Sequence, residues 1–388
     1  MIWKDKTVFV TGATGFIGGR VCERLVLAGV KNVRALVHTA NRAARIGRLP
    51  VQLCPGSLLD RSSLREAMGN SQVVIHCGLG VGRGIPEGTQ NLLEAAHSAG
   101  VARFVNISTA AVYGLTPKPG SEIESAPLPH TGDPYCDNKG RAEKIVLRFG
   151  DRGLPVVILR PSIVYGPYSF WSTRLLQELR EDHVALINRG SGACNTTYVD
   201  NLVDAIFLSI ENDQALGQAF FITDGEPVTW GEFIQAHTKM LGMESVLPEL
   251  STQAIEEHYR NQPGMLKGSI QATGRVLRSR EFRQMLLRIP ASERMLAGLW
   301  RWSASLSEQN RERIRARIGI KGSSRSGAAR DAGSNERYIP DHDTVATQSA
   351  TVFFSIEKAR KLMGYKPRIP FAQGMQLVEQ WLRFANYL

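Results

Sequence analysis

Tyr135 and Lys139 stand four residues apart in the segment YCDNK (135–139). On a helix this spacing places both side chains on one face. An ammonium beside a phenol favours the phenolate, which lowers a phenol pKa of about 10 towards values useful for general acid–base chemistry. The pair therefore predicts a proton-transfer site. The alternative is an ordinary exposed helix, because a Tyr and a Lys at this spacing also occur together by chance.

Two further hydroxyl residues, Ser108 and Thr109, open the segment STAAVYG (108–114). They directly follow a strand that the apolar pattern predicts over 103–107. Side chains at the carboxyl end of a parallel strand lie where such sheets bind ligands. We therefore expect one of the two hydroxyls to polarise a substrate carbonyl beside the Tyr135 phenol.

Three glycines, Gly12, Gly15 and Gly18, lie between a predicted strand and a predicted helix. The first glycine of such a turn permits the tight bend, the second lets the backbone approach a pyrophosphate, and the third lets helix and strand pack closely. The N–H groups and the positive dipole end of the helix then face phosphate. The turn predicts a bound dinucleotide. The alternative is a glycine-rich turn with a structural role only.

The residues after the second predicted strand indicate which dinucleotide binds. An acidic residue there would bind the ribose 2′-hydroxyl of NAD, whereas a basic residue favours the additional phosphate of NADP. This chain has His38, Arg42 and Arg45 and no acidic residue between them. We expect NAD or NADP, and the basic residues favour NADP. The alternative is that these side chains are solvated and have no ligand.

Strands and helices must alternate if these residues are to meet. Apolar runs predict strands, and 3.6-residue periodicity predicts helices. The predicted strands are 7–11, 33–37, 51–53, 73–76, 103–107, 156–159 and 219–222. The predicted helices are 20–28, 62–68, 88–99, 135–149, 199–210 and 230–241. Such alternation is typical of a parallel sheet covered on both faces.

The predicted fold class is α/β, a Rossmann-type doubly wound parallel sheet with a smaller C-terminal substrate-binding lobe. We expect a dinucleotide-binding domain over 1–165, with the sheet completed by about 196–225. Residues 166–388 would form mainly the substrate lobe. That lobe would include a basic helical insert over 245–350 and a small, polar, mobile segment over 322–335.

Composition limits the class of protein. The chain has 388 residues, 43% hydrophobic residues and a net charge of +11, so it can bury a substantial core. It has no apolar run of about 18 residues, no room for a signal peptide before the first strand, and no paired cysteine motif. We therefore expect a cytoplasmic protein without a metal site.

The positive charge is concentrated in the C-terminal part, where residues 245–388 contain 23 Lys and Arg against 13 Asp and Glu. A nucleic-acid partner is therefore not expected. The segment 275–317 alone contains 11 Arg, with Trp300 and Trp302 at its centre. It has three interpretations: a solvated helical face, a site for an anionic substrate group, or peripheral contact with acidic membrane lipids that would make the protein membrane-associated.

The chain resembles the extended short-chain dehydrogenase/reductase family, which includes NAD-dependent epimerases/dehydratases and 3-beta-hydroxysteroid dehydrogenase-like enzymes. The resemblance covers residues 5–240 and 351–388. The matching segments are TGATGFIG (11–18), STAAVYG (108–114), YCDNK (135–139), LRPSIVYGP (159–167), YVDN (198–201) and IEKARKLMGYKP (356–367). Their order and spacing agree with the family pattern.

The resemblance implies a role for each matching residue. Tyr135 would be the proton donor and acceptor, and Lys139 would hold the nicotinamide ribose and tune Tyr135. Thr109, or Ser108 in its place, would orient the substrate oxygen. The residues implied to contact the cofactor are Gly12, Thr14, Gly15, Phe16, Ile17, Gly18, His38, Arg42, Ser57, Leu58, Cys77, Gly78, Leu79, Lys139, Pro161 and Ile163.

Two departures from the family pattern bear on the substrate. Many relatives have an acidic residue in place of Ser57, near the adenine. Nucleotide-sugar members often have an arginine followed by an acid where this chain has Cys194 and Asn195. This difference weakens a nucleotide-sugar assignment. The Tyr-Val-x-Asn form at 198–201 and the long insert before GYKP (364–367) look more like the 3-beta-hydroxysteroid dehydrogenase-like branch.

We therefore predict an NAD(P)-dependent oxidoreductase that transfers hydride reversibly at a secondary alcohol or ketone carbon. One alternative is a nucleotide-sugar epimerase or dehydratase that recycles its NAD internally. Another is a catalytically silent NAD(P)-binding regulator. The expected partners are a small molecule, such as an alcohol, a ketone, a sugar nucleotide or a steroid-like compound, and a second copy of the chain in a homodimer.

Overall fold

A computed structural model describes residues 4–80, 82–243, 247–261 and 338–388. The basic segment 275–317 and the polar segment 322–335 lie outside the described residues, so the expectations for them stay predictions. The described parts of 4–255 and 338–388 form one compact unit. Within the described ranges, none of the helices combines the length and the apolar character that a membrane span needs.

Seven parallel strands form the central sheet. These seven are β1 Thr7–Thr11, β2 Asn32–Val37, β3 Gln52–Pro55, β4 Val73–His76, β5 Arg103–Ile107, β6 Val156–Pro161 and β10 Ala219–Ile222. The strands β7 Ile163–Tyr165 and β9 Thr196–Tyr198 form one two-stranded sheet, and β8 Leu186–Ile187 and β11 Glu249–Leu250 form another. Their order across the sheet is β3-β2-β1-β4-β5-β6-β10. The order reverses between β1 and β4, which opens a crevice at the carboxyl ends of these two strands.

The central strands are apolar on both faces because helices cover both sides of the sheet. Every residue of β4, β5 and β6 is buried. The register pairs Val10 of β1 with Ala35 of β2 on one side and with Ile75 of β4 on the other. The carboxyl ends of β1, β4 and β5 are therefore held together at one edge of the sheet.

Eleven α-helices lie within the described residues. They are α1 Phe16–Leu27, α2 Arg61–Met68, α3 Gly84–Ser98, α4 Pro134–Asp151, α5 Phe170–Arg180, α6 Val199–Glu211, α7 Trp230–Met240, α8 Thr252–Asn261, α9 His342–Gln348, α10 Glu357–Met363 and α11 Phe371–Phe384. Helices α1, α6 and α10 contribute to the core on one face of the sheet. Helices α2, α3 and α4 contribute to the core on the other face.

A third apolar core lies away from the central sheet, in the part of the chain expected to bind substrate. It contains residues of α5, α7 and α11 packed around Tyr165 and Tyr198. These two tyrosines end the short parallel strands β7 and β9, whose register pairs them with each other. Their rings lie edge to face, with centroids 5.4 Å apart.

The predicted fold class is confirmed by this sheet and its flanking helices. Helix α1 begins at Phe16 rather than at residue 20, because Gly15 is its N-cap and two further glycines in its first turn hide the apolar pattern. Helix α3 likewise begins at Gly84, four residues before the predicted start. Strands β7, β8, β9 and β11 and helices α5, α10 and α11 were not predicted, and α8 and α9 lie in the predicted helical insert without having been placed individually.

Candidate active site

Helix α4 brings Tyr135 to the carboxyl edge of the sheet. The Asp133 side chain caps the helix and accepts a hydrogen bond from the Cys136 N–H at 2.7 Å. Pro134 occupies the first helical position, where its missing N–H costs nothing. This start places Tyr135 in the first turn and Lys139 one turn further along, on the same face.

A buried ion pair fixes α4 against β6. Arg160 of β6 donates from Nη2 to a carboxylate oxygen of Glu143 at 2.7 Å, and both side chains are almost fully buried. Arg160 also donates to the Tyr113 hydroxyl at 3.1 Å. Tyr113 ends the 3-10 turn that follows Thr109. The pair thus links the helix that contains Tyr135 with the turn that contains Thr109.

Lys139 is buried, and its Nζ donates to the Ile107 carbonyl at 2.9 Å. Ile107 is the last residue of β5, directly before Ser108 and Thr109. Burial lowers the pKa of Lys139 to about 8, and the opposing attraction of the Glu143 carboxylate is smaller. The Lys139 ammonium therefore lies beside the residue that precedes Ser108 and Thr109, and burial destabilises its charged form.

Tyr135 meets the Thr109 side chain. The tyrosine is 40% exposed. Desolvation raises its pKa, and the hydrogen bond with Thr109 opposes that shift without cancelling it. The expectation that Lys139 lowers the pKa of Tyr135 is wrong for this structure, because desolvation outweighs the favourable contacts of the phenolate and Lys139 instead donates to a backbone carbonyl.

The two candidate hydroxyls have different surroundings. Thr109 caps the 3-10 turn Ala110–Tyr113 and accepts a hydrogen bond from the Ala111 N–H at 3.1 Å. The Ser108 Oγ is buried and has no hydrogen-bond partner among the described residues. The structure therefore brings Thr109, and not Ser108, together with Tyr135.

The glycine turn has the geometry that a dinucleotide needs. Gly12 adopts a φ of +66°, and a Cβ at this position would lie 2.5 Å from the Cys77 carbonyl oxygen. A Cβ on Gly18 would lie 2.3 Å from the Gly12 carbonyl oxygen, so α1 can pack against the turn only with glycine there. Both positions therefore require glycine, as the spacing predicted.

Helix α1 offers its N-terminus to an anion. Its N-cap is Gly15, with no side chain to bond the first N–H groups, and its first turn has no acidic residue. The amides of Phe16 and Ile17 belong to this turn, beside Thr14. A phosphate is well suited to the place, because the N–H groups and the helix dipole both attract negative charge.

His76 ties the glycine turn to the loop after β4. Its Nδ1 lies 2.7 Å from the Thr11 Oγ1, which accepts from the Gly78 N–H at 3.2 Å. Its Nε2 lies 3.2 Å from the Thr89 Oγ1. Burial lowers the pKa of His76 to about 3, and the nearby Lys139 charge contributes. The ring is therefore neutral at pH 7, and a proton on Nε2 satisfies both contacts.

The remaining residues implied to contact the cofactor follow β2, β3 and β4. His38 and Ser57 line one cavity of about 600 Å³. Arg42 is exposed on the 3-10 turn Ala40–Arg45. Leu58 lies so close to Gly78 that a Cβ there would be 2.9 Å from its methyl group. Leu79 is exposed and Cys77 lies against Gly12.

Arg45 has other contacts. Its guanidinium lies 4.1 Å from the centre of the Tyr168 ring and 3.8 Å from a Glu23 carboxylate oxygen. Pro161 ends β6 and Ile163 begins β7. Because β6 runs parallel to β5, Pro161 lies at the same edge of the sheet as the hydroxyl pair.

A cavity of about 360 Å³ opens beside Tyr135. Trp171 of α5 lines it together with Tyr135, and the neighbouring Phe170 does not appear in its wall. The other lining residues were not predicted, and they are Leu115, Asp133, Arg174, Leu175, Glu178, Trp230, Phe233, Ile234, Asp341, Asp343, Thr344, Thr347 and Gln348. Trp171 and Trp230 lie at helical spacing from the other lining residues of α5 and α7. Such spacing shows which residues share one face of a helix, but it does not show which part of the protein that face contacts.

Comparison with known proteins agrees with this geometry. The model of the NAD dependent epimerase/dehydratase family matches residues 8–222. A ketoreductase of Stigmatella aurantiaca, named for 4-hydroxy-2-methyl-3-oxo-4-farnesyl-3,4-dihydroquinoline-1-oxide, is 28% identical over 63% of this chain and 76% of its own length. The 2-alkyl-3-oxoalkanoate reductase of Stenotrophomonas maltophilia is 29% identical over 58% of this chain and 73% of its own length.

Among solved structures, the dTDP-glucose 4,6-dehydratase of Bacillus anthracis in complex with NAD has a TM-score of 0.65 and 17% identity. The match covers 98% of each chain. This likeness supports the fold. The resemblance inferred from the sequence motifs is confirmed by the family match, which spans more than half of the chain and includes the glycine turn, Tyr135 and Lys139. The chain therefore belongs to the NAD dependent epimerase/dehydratase family of enzymes.

Proposed function

We propose that this chain catalyses reversible hydride transfer between NAD(P) and a secondary alcohol or ketone carbon. The observation that supports this most directly is the position of Tyr135, which lines a cavity of about 360 Å³ and interacts with the Thr109 side chain. Two hydroxyls that meet at one point can bind a single carbonyl oxygen. A ketone whose oxygen is held there has its carbonyl carbon open to attack.

Each residue has one role in this reaction. The bound dinucleotide supplies the hydride in reduction and accepts it in oxidation. Tyr135 donates its proton to the substrate oxygen in reduction, and Thr109 donates a hydrogen bond to the same oxygen. Lys139 holds the nicotinamide ribose. Desolvation raises the pKa of Tyr135, so the phenol carries the proton that reduction needs.

The alternative is a nucleotide-sugar epimerase or dehydratase. It is suggested by the name of the family and by the structural similarity to the dTDP-glucose 4,6-dehydratase. Such an enzyme needs groups that bind a nucleotide diphosphate. Where nucleotide-sugar relatives often have an arginine, this chain has Cys194, which is fully buried, and the following Asn195 side chain is bonded to the backbone of Val352 and Phe354. Both named reductase relatives also act, by their names, on keto compounds. A silent NAD(P)-binding regulator has no need of Thr109, Tyr135 and Lys139 together.

The test is Tyr135→Phe, assayed for ketone-dependent oxidation of NADPH and NADH. Loss of the phenolic proton is expected to reduce kcat by about 10²- to 10⁴-fold. Cofactor affinity, measured by fluorescence titration, should stay within about twofold, because the ring remains in place. Tyr387→Phe is the matched control, since Tyr387 is exposed to the same degree and lies at the far end of the chain. Wild-type turnover by Tyr135→Phe would refute the proposed role.

We also propose that the cofactor is NADP in preference to NAD, because His38 and Arg42 lie exposed after β2 and no acidic residue accompanies them. Arg42→Ala should weaken NADPH binding by about tenfold, since a charge-assisted hydrogen bond to the additional phosphate is lost. NADH binding should not change. Arg48→Ala removes an exposed arginine nearby and is the control. Equal effects of Arg42→Ala on both cofactors would contradict the preference.

A further inference from the structure

The cavity beside Tyr135 is enclosed by one face from each of three helices. Helix α5 contributes positions 171, 174, 175 and 178, and helix α7 contributes positions 230, 233 and 234. Both sets follow the i, i+3, i+4 spacing of a single helix face. Helix α9 closes the third side with Thr344, Thr347 and Gln348. Any substrate that reaches Tyr135 must therefore fit against these three faces.

The inner part of the cavity is aromatic and aliphatic. The Trp171 and Trp230 rings have centroids 5.9 Å apart, and the Trp230 and Phe233 rings 5.8 Å. Phe233 and Ile234 are fully buried behind these rings and Leu175 is nearly so, whereas Trp171 is partly exposed and can be covered by a ligand. Such a surface gains free energy by covering apolar parts of a ligand and none by covering a charged group.

The charged residues of the wall are mainly acidic. Four carboxylates line the cavity, and they belong to Asp133, Glu178, Asp341 and Asp343. The one guanidinium among the described lining residues is that of Arg174, which donates from Nε to a Glu178 carboxylate oxygen at 2.7 Å. The charged groups that line the cavity are therefore negative on balance, which disfavours an anion placed beside them.

Gln348 supplies a neutral polar group in the same wall. Its Oε1 is buried and has no hydrogen-bond partner among the residues that the structure describes. Buried polar atoms are ordinarily satisfied, so this amide calls for a partner that arrives with the ligand. An uncharged hydroxyl or N–H group can supply that hydrogen bond without the cost of burying a charge.

From these observations we propose that the cavity selects uncharged, largely apolar carbonyl compounds and that its carboxylates exclude substrates with a carboxylate or a phosphate beside the reacting carbonyl. This inference rests on the proposed function, since it concerns the substrate of the same site. It separates this enzyme from those that take nucleoside diphosphate sugars, whose two phosphates would face four carboxylates.

The test compares methyl 4-acetylbenzoate with 4-acetylbenzoate, two ketones that share one ring and one acetyl group and differ in charge. Binding to the full-length chain in the presence of saturating NADPH analogue is followed by quenching of tryptophan fluorescence, because Trp171 and Trp230 line the cavity. The ester is expected to bind at least about tenfold more tightly than the acid, since like charges brought together are strongly unfavourable. Equal binding, tighter binding of the acid, or binding of neither probe would overturn the inference.

Variants identify the source of the preference. Glu178→Gln combined with Asp343→Asn removes two of the four carboxylates and should reduce the ratio of the two dissociation constants by at least about fivefold. Asp151→Asn is the matched control, because Asp151 is exposed at the opposite end of α4 from Tyr135. An unchanged ratio in the double variant would show that the carboxylates do not set the preference.

Binding and turnover separate this inference from the proposed function. Reduction of either ketone that depends on Tyr135 supports hydride transfer whatever the order of affinities. A preference for the ester without reduction by NADPH or NADH would keep the charge selectivity and count against the proposed reaction. A preference for the acid accompanied by Tyr135-dependent reduction would keep the reaction and overturn the selectivity.

Discussion

At the scale of single residues, Lys139 is a charged group held in a buried position of the candidate site. It is buried, it donates to the Ile107 carbonyl, and its pKa is lowered to about 8. An ordinary lysine stays protonated until about pH 10.4. Any step that needs the ammonium therefore fails at a lower pH than the residue type alone suggests.

This constraint predicts a pH profile. Because the ammonium is lost as the pH rises through 8, kcat/KM should fall on the alkaline side with an apparent pKa near 8. Lys139→Arg keeps a cation that stays protonated in this range, so the alkaline fall should disappear even if the maximum rate is lower. A profile measured with constant ionic strength from pH 6 to 10 decides the matter. An identical alkaline limb in Lys139→Arg would assign the titration to another group.

The same shift has a consequence for stability with a definite sign. Between about pH 8 and pH 10.5 the unfolded chain binds more protons at position 139 than the folded chain does. The free energy of unfolding therefore rises with pH across this window, as far as Lys139 contributes. Burial of an ammonium thus costs stability at neutral pH.

The sequence was sufficient to name the candidate site residues but not to predict their electrostatics. Tyr135, Lys139 and Thr109 could be named because their spacing along the chain agrees with helical geometry and with the end of a strand. The direction of the Tyr135 pKa shift could not be inferred, because it depends on how much water the neighbouring elements exclude. That Lys139 meets Ile107 depends on tertiary packing and leaves no local pattern.

At the scale of elements, the polar residue Asn195 connects the C-terminal segment to the rest of the fold. Its side chain donates to the Val352 carbonyl and accepts from the Phe354 N–H, both at 2.9 Å. Asn195 itself is buried. Residues 352–354 follow directly after α9, so this contact also holds the third wall of the cavity in place.

Asn195→Ala should therefore lower the free energy of unfolding by about 2–4 kcal/mol, because two buried backbone groups lose their partners. Urea denaturation measures this loss. The KM for a ketone should rise as well, because α9 is less firmly held beside Tyr135. Asn32→Ala, at the exposed start of β2, is the control and should change stability by less than about 0.5 kcal/mol. A loss of stability no larger than that of the control would show that the hydrogen bonds of Asn195 with Val352 and Phe354 are unimportant for stability.

Several of the elements that sequence patterns did not locate are either too short or too polar to show a period. Strands β7 and β9 have only three residues each, too few for a period to be recognised. Helix α9 has the sequence HDTVATQ, which lacks an apolar stripe. Long, buried strands such as β5 and β6 were predicted to within two residues, because helices on both faces require them to be apolar throughout.

At the scale of the whole molecule, the alternation of strands and helices was enough to predict the doubly wound sheet. The crevice between β1 and β4 follows from the strand order, and the glycine turn lies at its mouth. The substrate cavity could not be predicted in the same way. Its three helices come from widely separated parts of the chain. The periodicity of one helix does not indicate which other helices it contacts.

The separation of those helices has a consequence for how the protein is made. Helix α7 ends at Met240, and α9 begins at His342, about 100 residues later. Translation at about 5–20 residues per second delivers α9 roughly 5–20 s after α7. All seven strands of the central sheet precede residue 223, so the nascent chain acquires its dinucleotide crevice before its substrate wall. Under the proposed function, the residues of the cofactor crevice are therefore synthesised before the third wall of the cavity that would receive the ketone.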